Sequence, residues 1–243
     1  MLPNAAHRAT RNAHRTPFPR NDAAMADQPK IYLVHALPIS MAPVEASFRT
    51  HWPQARLANL LDDSLPADFQ CDGRLTDAMI ERFRSLGRYC ADAGADAILF
   101  TCSAFGPAID AVKRDQRIPV LKPNEALYDD LMAIRGRIAL LATFVPTIPS
   151  MLAEINQCAA EQGVQLQVDT HLVEGALDAL LAGRPEQHNR LIAEAAAGFA
   201  GHAAIAFGQV SMAPALAQAQ ALVARPILTT PDSAMRKLKA LMA

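Results

Sequence analysis

The feature that most constrains this chain is a long internal repeat. Gly94-Ala-Asp-Ala-Ile-Leu-Phe-Thr-Cys102 lies over Gly201-His-Ala-Ala-Ile-Ala-Phe-Gly-Gln209 at one offset, 201 − 94 = 107 positions. At that offset Phe100 meets Phe207 and Pro107 meets Pro214. Further out, Ile31 and Leu33 fall on Ile138 and Leu140, Ser40 falls on Thr147, and Pro119-Val-Leu121 falls on Pro226-Ile-Leu228. A period this long marks a duplicated domain, not a solenoid unit. It predicts a first domain over 30–137 and a second over 138–243, with the C-terminal helix free to pack back on the first.

Each half alternates short apolar runs with stretches of helical apolar spacing. Strands are expected at 31–36, 97–101 and 118–121, then at 138–142, 165–169, 203–207 and 226–229. Helices are expected at 75–93, 104–114 and 125–134, then at 149–162, 187–198, 211–223 and 231–241. Short buried strands separated by helices form parallel sheets covered on both faces. The fold class is therefore α/β, two pseudo-symmetric doubly wound parallel-sheet domains. Ligands of such sheets sit beyond the carboxyl ends of the strands, so the active site is expected in the cleft between the two domains.

Residues 1–29 stand outside this scheme. Arg8, Arg11, Arg15 and Arg20 are set among Ala, Asn and Pro, with no acid before Asp22. Pro3, Pro17 and Pro19 argue against an amphipathic targeting helix, and no apolar core of a secretory signal is present. The segment reads as a disordered extension, or as an upstream start with Met25 opening the native chain. A cytoplasmic location is expected.

Composition narrows the function classes. The chain is 51% hydrophobic and 19% charged, with a formal net charge of −1. Basic residues are interspersed with acids beyond the N-terminus, so no nucleic-acid partner is expected. No apolar run is long enough to span a membrane. Cys71, Cys90, Cys102 and Cys158 lack paired metal-ligand spacing, so no metal site is expected. Cys90 and Cys158 read as small apolar fillers and Cys71 as a loop residue.

The two copies differ where chemistry would sit. Cys102 in Phe-Thr-Cys-Ser-Ala-Phe-Gly-Pro is matched by Gln209 in Phe-Gly-Gln-Val-Ser-Met-Ala-Pro. A thiol can move a proton to or from carbon; a carboxamide only donates and accepts hydrogen bonds. Taken alone, Cys102 reads equally as a buried strand-end cysteine or as a thiol before a helix, where free amides favour thiolate.

The strand-Thr-Cys-Ser103 segment, the Leu-Ala-Thr143 strand and the Gly-Gln-Val-Ser-Met segment together resemble the Asp/Glu/hydantoin racemase superfamily over residues 30–243. The resemblance implies cofactor-independent chemistry at the carbon α to a carboxylate, with one cysteine from each domain flanking that carbon. Cys102 carries over as the acid/base thiol. The second cysteine is replaced by Gln209. A small carboxylate substrate and a homo-oligomer are likewise implied, and no cofactor.

Removing a proton next to a carboxylate places a second negative charge on its oxygens, so a base must act beside a dense cradle of hydrogen bonds. Ser40, Thr101, Ser103, Thr143, Thr147, Gln209 and Ser211 stand at strand ends where such a cradle forms. Each hydroxyl reads equally as a helix N-cap. His188, at the start of an apolar helix, is either an acid/base partner or a solvated cap residue. His35, on a buried strand, reads as a hydrogen-bonded core histidine. The repeat mates Glu125 and Asp232 open helices and compensate their dipoles. Asp62-Asp63-Ser64 reads as a solvated loop, Glu174-Gly-Ala176 as a possible pocket edge, and Asn124 as a turn or cleft residue. Met41, Phe105 and Met212 fit either an apolar substituent or the core.

Direct racemisation needs a proton carrier on each face, and Gln209 is not one. Three readings follow: a racemase-type isomerase in which Cys102 works with water or another group such as His188; a one-thiol decarboxylase or lyase that protonates an enediolate on one face; and a non-catalytic carboxylate-binding protein. The family resemblance puts the isomerase first. Covalent hydrolysis through Cys102 is the weakest reading, because no histidine is placed beside it.

Overall fold

The computed structural model describes residues 28–243. Of the extension read over residues 1–29, residues 1–27 lie outside the described residues. Strands β1 (Lys30–His35), β2 (Arg56–Leu61), β3 (Ala97–Phe100) and β4 (Val120–Leu121) form one parallel sheet in the order β2-β1-β3-β4. Strands β5 (Arg137–Ala142), β6 (Gln167–Leu172), β7 (Ala204–Phe207) and β8 (Ile227–Thr229) form a second in the order β6-β5-β7-β8. The repeat extends to register. Ile31 pairs with Ala97 as Ile138 pairs with Ala204.

Helices α1 (Met41–His51), α2 (Leu65–Asp72), α3 (Asp77–Asp92), α4 (Gly106–Asp115) and α5 (Glu125–Ile134) belong to the first repeat. Helices α6 (Thr147–Gln162), α7 (Ala176–Leu181), α8 (Pro185–Ala197), α9 (Leu216–Leu222) and α10 (Thr230–Leu241) belong to the second. Local chemistry explains their limits. In α3 the Thr76 hydroxyl accepts the Met79 N–H at 3.3 Å, Met79, Phe83 and Cys90 make a buried stripe, and Gly94 turns the chain at φ 79°.

Alternate strand residues bury opposite faces of each sheet. Tyr32, Val34, Ile98 and Phe100 join the core under α3 and α4, whereas Ile31, Leu33, Ala97 and Leu99 face the other side. That other side is closed by α1 and, across the chain, by Ala234, Met235 and Leu238 of α10. Reciprocally, Leu127, Tyr128, Leu131 and Met132 of α5 pack on Ile138, Leu140, Ala204 and Ala206 of the second sheet. The last helix of each repeat thus covers the other repeat's sheet. Arg236 with Asp130 and Lys237 with Asp129, each at 2.7 Å, fasten the two exchanged helices to one another. The buried aliphatic groups dominate: fully burying one leucine contributes about 1.5–3 kcal/mol, against about 0–1 kcal/mol for an exposed ion pair.

The structure adds elements that apolar periodicity did not announce. Strand β2 lies at a sheet edge, its residues only half buried or exposed, so it lacks a continuous apolar run. Its counterpart edge in the second sheet, β6, is Gln-Val-Asp-Thr-His-Leu, and the expectation at 165–169 slid toward the apolar Val164 and Leu166. Helices α1, α2 and α7 bury few side chains each. Cys71, expected in a loop, lies exposed in α2. Arg82 draws Asp62 and Asp68 together into a surface network around Ser64.

Candidate active site

Both halves of the unequal pair stand at the same place in their sheets. Cys102 follows β3 in extended backbone, φ −119° and ψ 119°, and opens the short 3₁₀ turn Ser103–Phe105. Gln209 follows β7 at φ −137° and ψ 145° and opens the 3₁₀ turn Val210–Ala215. A cavity of about 300 Å³ lies between these two strand ends. Ser40, Thr101, Cys102, Ser103 and Asn124 line it from the first repeat, and Thr147, Gly208, Gln209 and Ser211 from the second. Cys102 is the one side chain among these lining residues that ionises in water.

The Cys102 thiol is held above its ordinary value. Burial disfavours the thiolate, and the Ala104 N–H directed at the sulfur offsets this only in part. The expected help from a following helix is small, because the segment that Cys102 caps is a single 3₁₀ turn. The resting group is a thiol, poised to give a proton.

Opposite it, the Gln209 carboxamide is fixed by Thr143. Its Oε1 accepts the Thr143 N–H at 2.6 Å and the Thr143 Oγ1–H at 3.1 Å. A backbone N–H can only donate, so the atom facing it is the oxygen, and the amide nitrogen is left to donate elsewhere. Thr143 itself is a buried support behind Gln209 and does not line the cavity. Gly208 permits the close approach of β7 to β5: a Cβ there would meet Met151 Sδ at 3.0 Å and the Leu141 carbonyl oxygen at 3.1 Å.

Ser40 and Thr101 share a buried network with His35. His35 Nδ1 is 2.9 Å from each hydroxyl oxygen, and Nε2 is 3.0 Å from Asn59 Oδ1. Burial lowers the imidazole pKa, so the ring is neutral. His35 is thus the hydrogen-bonded core histidine expected from its strand.

His188 is placed elsewhere. It is fully buried on α8, its Nδ1 beside Asn189 Oδ1 at 3.0 Å, and it is absent from the cavity lining. Leucine, isoleucine and alanine positions of α8 face the same core, and the helix turns the imidazole inward with them. Glu125 and Asp232 both lie in first helical turns, but Glu125 holds Lys113 and Asp232 accepts from Ser47 and Thr229, so both serve as structural ties. Cys90 is a buried filler whose thiol is pushed up to about 12 by desolvation.

The sequence did not reveal the apolar part of the lining. Leu37, Ile39, Phe144, Leu177, Leu181 and Val210 supply it. Leu37 and Phe144 remain about half exposed despite their size. The repeat offset carries Leu37 onto Phe144, and that match was the signal available. Phe105 and Met212 belong to the cores, and Met41 does not line the cavity. Near Glu174 the pocket edge comes from α7, one turn later. Among the described residues no group of three or more His, Cys, Asp or Glu side chains could hold a metal ion, and no helix is long and apolar enough to cross a membrane.

The fold is shared with solved structures of low sequence identity. An aspartate racemase homologue from Pyrococcus horikoshii superposes with a TM-score of 0.62 at 16% identity, covering 88% of this chain and 99% of that one. Allantoin racemase from Klebsiella pneumoniae gives 0.62 at 16% identity, covering 88% of each chain. Unliganded arylmalonate decarboxylase gives 0.61 at 14% identity, covering 88% and 93%. No curated protein matches the sequence significantly. The family model described as Asp/Glu/Hydantoin racemase matches residues 66–238, which takes in Cys102, Thr143 and Gln209 together with β3, β4 and the whole of the second sheet. The chain belongs to the Asp/Glu/hydantoin racemase family.

Proposed function

We propose that this protein is a cofactor-independent enzyme of carbon-acid chemistry in which Cys102 protonates, from one face, an enediolate formed on a small carboxylate substrate. The observation that carries this reading is the solitary ionisable side chain: the cavity lining offers one thiol and otherwise neutral hydrogen-bonding and apolar groups. Burial keeps that thiol protonated, which suits a donor better than a base. Loss of carbon dioxide, or of another group, from the α-carbon leaves its electron pair as the enediolate. The Cys102 S–H bond then breaks, the α C–H bond forms, and the thiolate regains a proton from solvent. Gln209 Nε2 and the Ser103, Thr147 and Ser211 hydroxyls are the candidate donors to the charged oxygens, and Ser40 and Thr101 complete the wall beside Cys102. A decarboxylase or lyase giving a single enantiomer is the result.

Racemase-type isomerisation of an amino acid or related acid is the second reading, favoured by the family and by its racemase neighbours. It would require Cys102 to work with water or a group outside the lining, since His188 is not at hand. Incubation with α-substituted malonates and chiral α-substituted acids in deuterated water separates the two. Carbon dioxide release with one deuterium in a single-enantiomer product supports the first; deuterium in recovered acid with loss of optical purity supports the second. Cys102→Ser should lower either rate by about 10²-fold or more. Unchanged turnover in that variant would remove Cys102 from the mechanism, and a carboxylate that binds without turnover across the panel would leave a binding protein.

A further inference from the structure

The buried network behind Ser40 and Thr101 has a direction that can be read from its outer end. Glu45 Oε1 accepts a hydrogen bond from Asn59 Nδ2 at 2.5 Å. A carboxylate only accepts, so the Asn59 nitrogen faces Glu45 and its oxygen faces His35. Asn59 Oδ1 likewise only accepts, so His35 Nε2 at 3.0 Å carries the ring proton. Nδ1 is then a bare lone pair. It lies 2.9 Å from both hydroxyl oxygens, which are 3.0 Å from one another; Ser40 gives its single proton to the Leu37 carbonyl at 2.8 Å, which leaves Nδ1 to the Thr101 hydroxyl. Two hydroxyl protons therefore meet protein acceptors on every side: Leu37 O for Ser40, and Nδ1, with Val34 O at 3.4 Å, for Thr101. Accepting is the capacity these two hydroxyls keep for the cavity they line.

We propose that Glu45, Asn59 and His35 form a tautomer-setting relay that turns Ser40 and Thr101 into hydrogen-bond acceptors on the cavity wall, so that the site selects ligands presenting an N–H or O–H donor beside Cys102. His35 and Asn59 are positioning residues in this scheme, since they act through the hydroxyls. The second repeat has no counterpart: Ala142 stands at the place of His35, and Gln209 offers its amide N–H groups instead. One wall accepts and the facing wall donates. A carboxylate fits the Gln209 wall, and a donor-bearing α-substituent fits the Ser40 wall. This selectivity rests on the carboxylate-binding reading of the cleft.

Asn59 is exposed on the edge strand, so Asn59→Ala can be made without opening the core. Two measurements test the relay. Long-range proton–nitrogen spectra of the wild-type imidazole should show His35 protonated at Nε2, and Asn59→Ala should shift the population toward Nδ1–H. Equilibrium binding of mandelate, O-methylmandelate and phenylacetate should show mandelate preferred by about 5–10-fold over both, the scale of one hydrogen bond, with the preference reduced below about twofold in Asn59→Ala. Equal binding of mandelate and its methyl ether to wild type, or an Nδ1–H wild-type spectrum, overturns the relay. If none of the three acids binds, the carboxylate reading falls with the ligand selectivity, whereas the nitrogen spectrum still decides whether the tautomer is set as drawn.

Discussion

Gln209→Cys is the most searching perturbation of the cleft, because the two repeats already present these positions in nearly the same extended backbone. A cysteine there stands opposite Cys102 and supplies the second proton carrier that two-face exchange requires. The substitution has a definite structural cost. It removes the acceptor of the Thr143 N–H at 2.6 Å and of the Thr143 hydroxyl at 3.1 Å. At about 1 kcal/mol per lost hydrogen bond the loss is about 2 kcal/mol, a drop in Tm of roughly 4–8 °C for a chain of this size. Gln209→Ser provides the control, with a comparable loss of stability and no thiol. The assay follows optical purity and α-deuterium in chiral 2-aryl and 2-amino acids in deuterated water. The cysteine variant should exchange at least about 10²-fold faster than the serine variant. A folded Gln209→Cys protein that exchanges no faster than Gln209→Ser would refute the opposed geometry of the two strand ends.

Further outcomes concern the thiol and the exchanged helices. Because burial raises the Cys102 pKa, the donor form persists to higher pH than an ordinary thiol; a rate limited by protonation should stay level through neutral pH and fall only above the usual thiol range. A loss of activity on the alkaline side of a midpoint below the usual thiol value would contradict this. Leu238→Ala should destabilise the protein by about 2–5 kcal/mol in denaturant unfolding, although Leu238 belongs to the second repeat and packs on the first. Its effect should appear in the unfolding of both sheets together, measured by hydrogen exchange at β1 and β5; separate transitions would contradict the exchange of helices.

The sequence carried the architecture where burial is complete. Ile31, Leu33, Ile138 and Leu140 lie on central strands buried on both faces, so apolar runs and the repeat offset located β1, β3, β5 and β7 directly. The polar edge strands fared worse than the apolar edges β4 and β8: Asn59 in β2 and Asp169 in β6 face solvent or surface partners, so β2 was missed and β6 was placed two residues early. Cys102 and Gln209 were legible because a repeat exposes an inequality between mates. The role of Thr143 was legible only as a strand-end hydroxyl, since its bond to Gln209 joins residues far apart in sequence. His188 illustrates the opposite limit. A histidine at a helix start has two helical faces open to it in sequence, and only the packing of α8 on the second sheet decides that it turns inward. The direction of the His35 network was beyond sequence reading altogether, because it is set by Glu45 through an asparagine on another strand.

The exchange of α5 and α10 makes each repeat incomplete as a folding unit. A solitary first repeat would keep only α1 over the Ile31 and Leu33 face of its sheet and lose the Ala234, Met235 and Leu238 cover, and the Leu127–Leu131 stripe of α5 would have nothing to cover. Two such units satisfy one another only by pairing, and in separate chains that pairing would weaken on dilution. Covalent linkage through Arg135 and Gly136 makes the pairing unimolecular, so stability no longer depends on protein concentration. The same linkage frees the two copies from identity: once both reside in one chain, one cleft wall can carry a thiol and the other an amide without either unit ever having to meet its own twin.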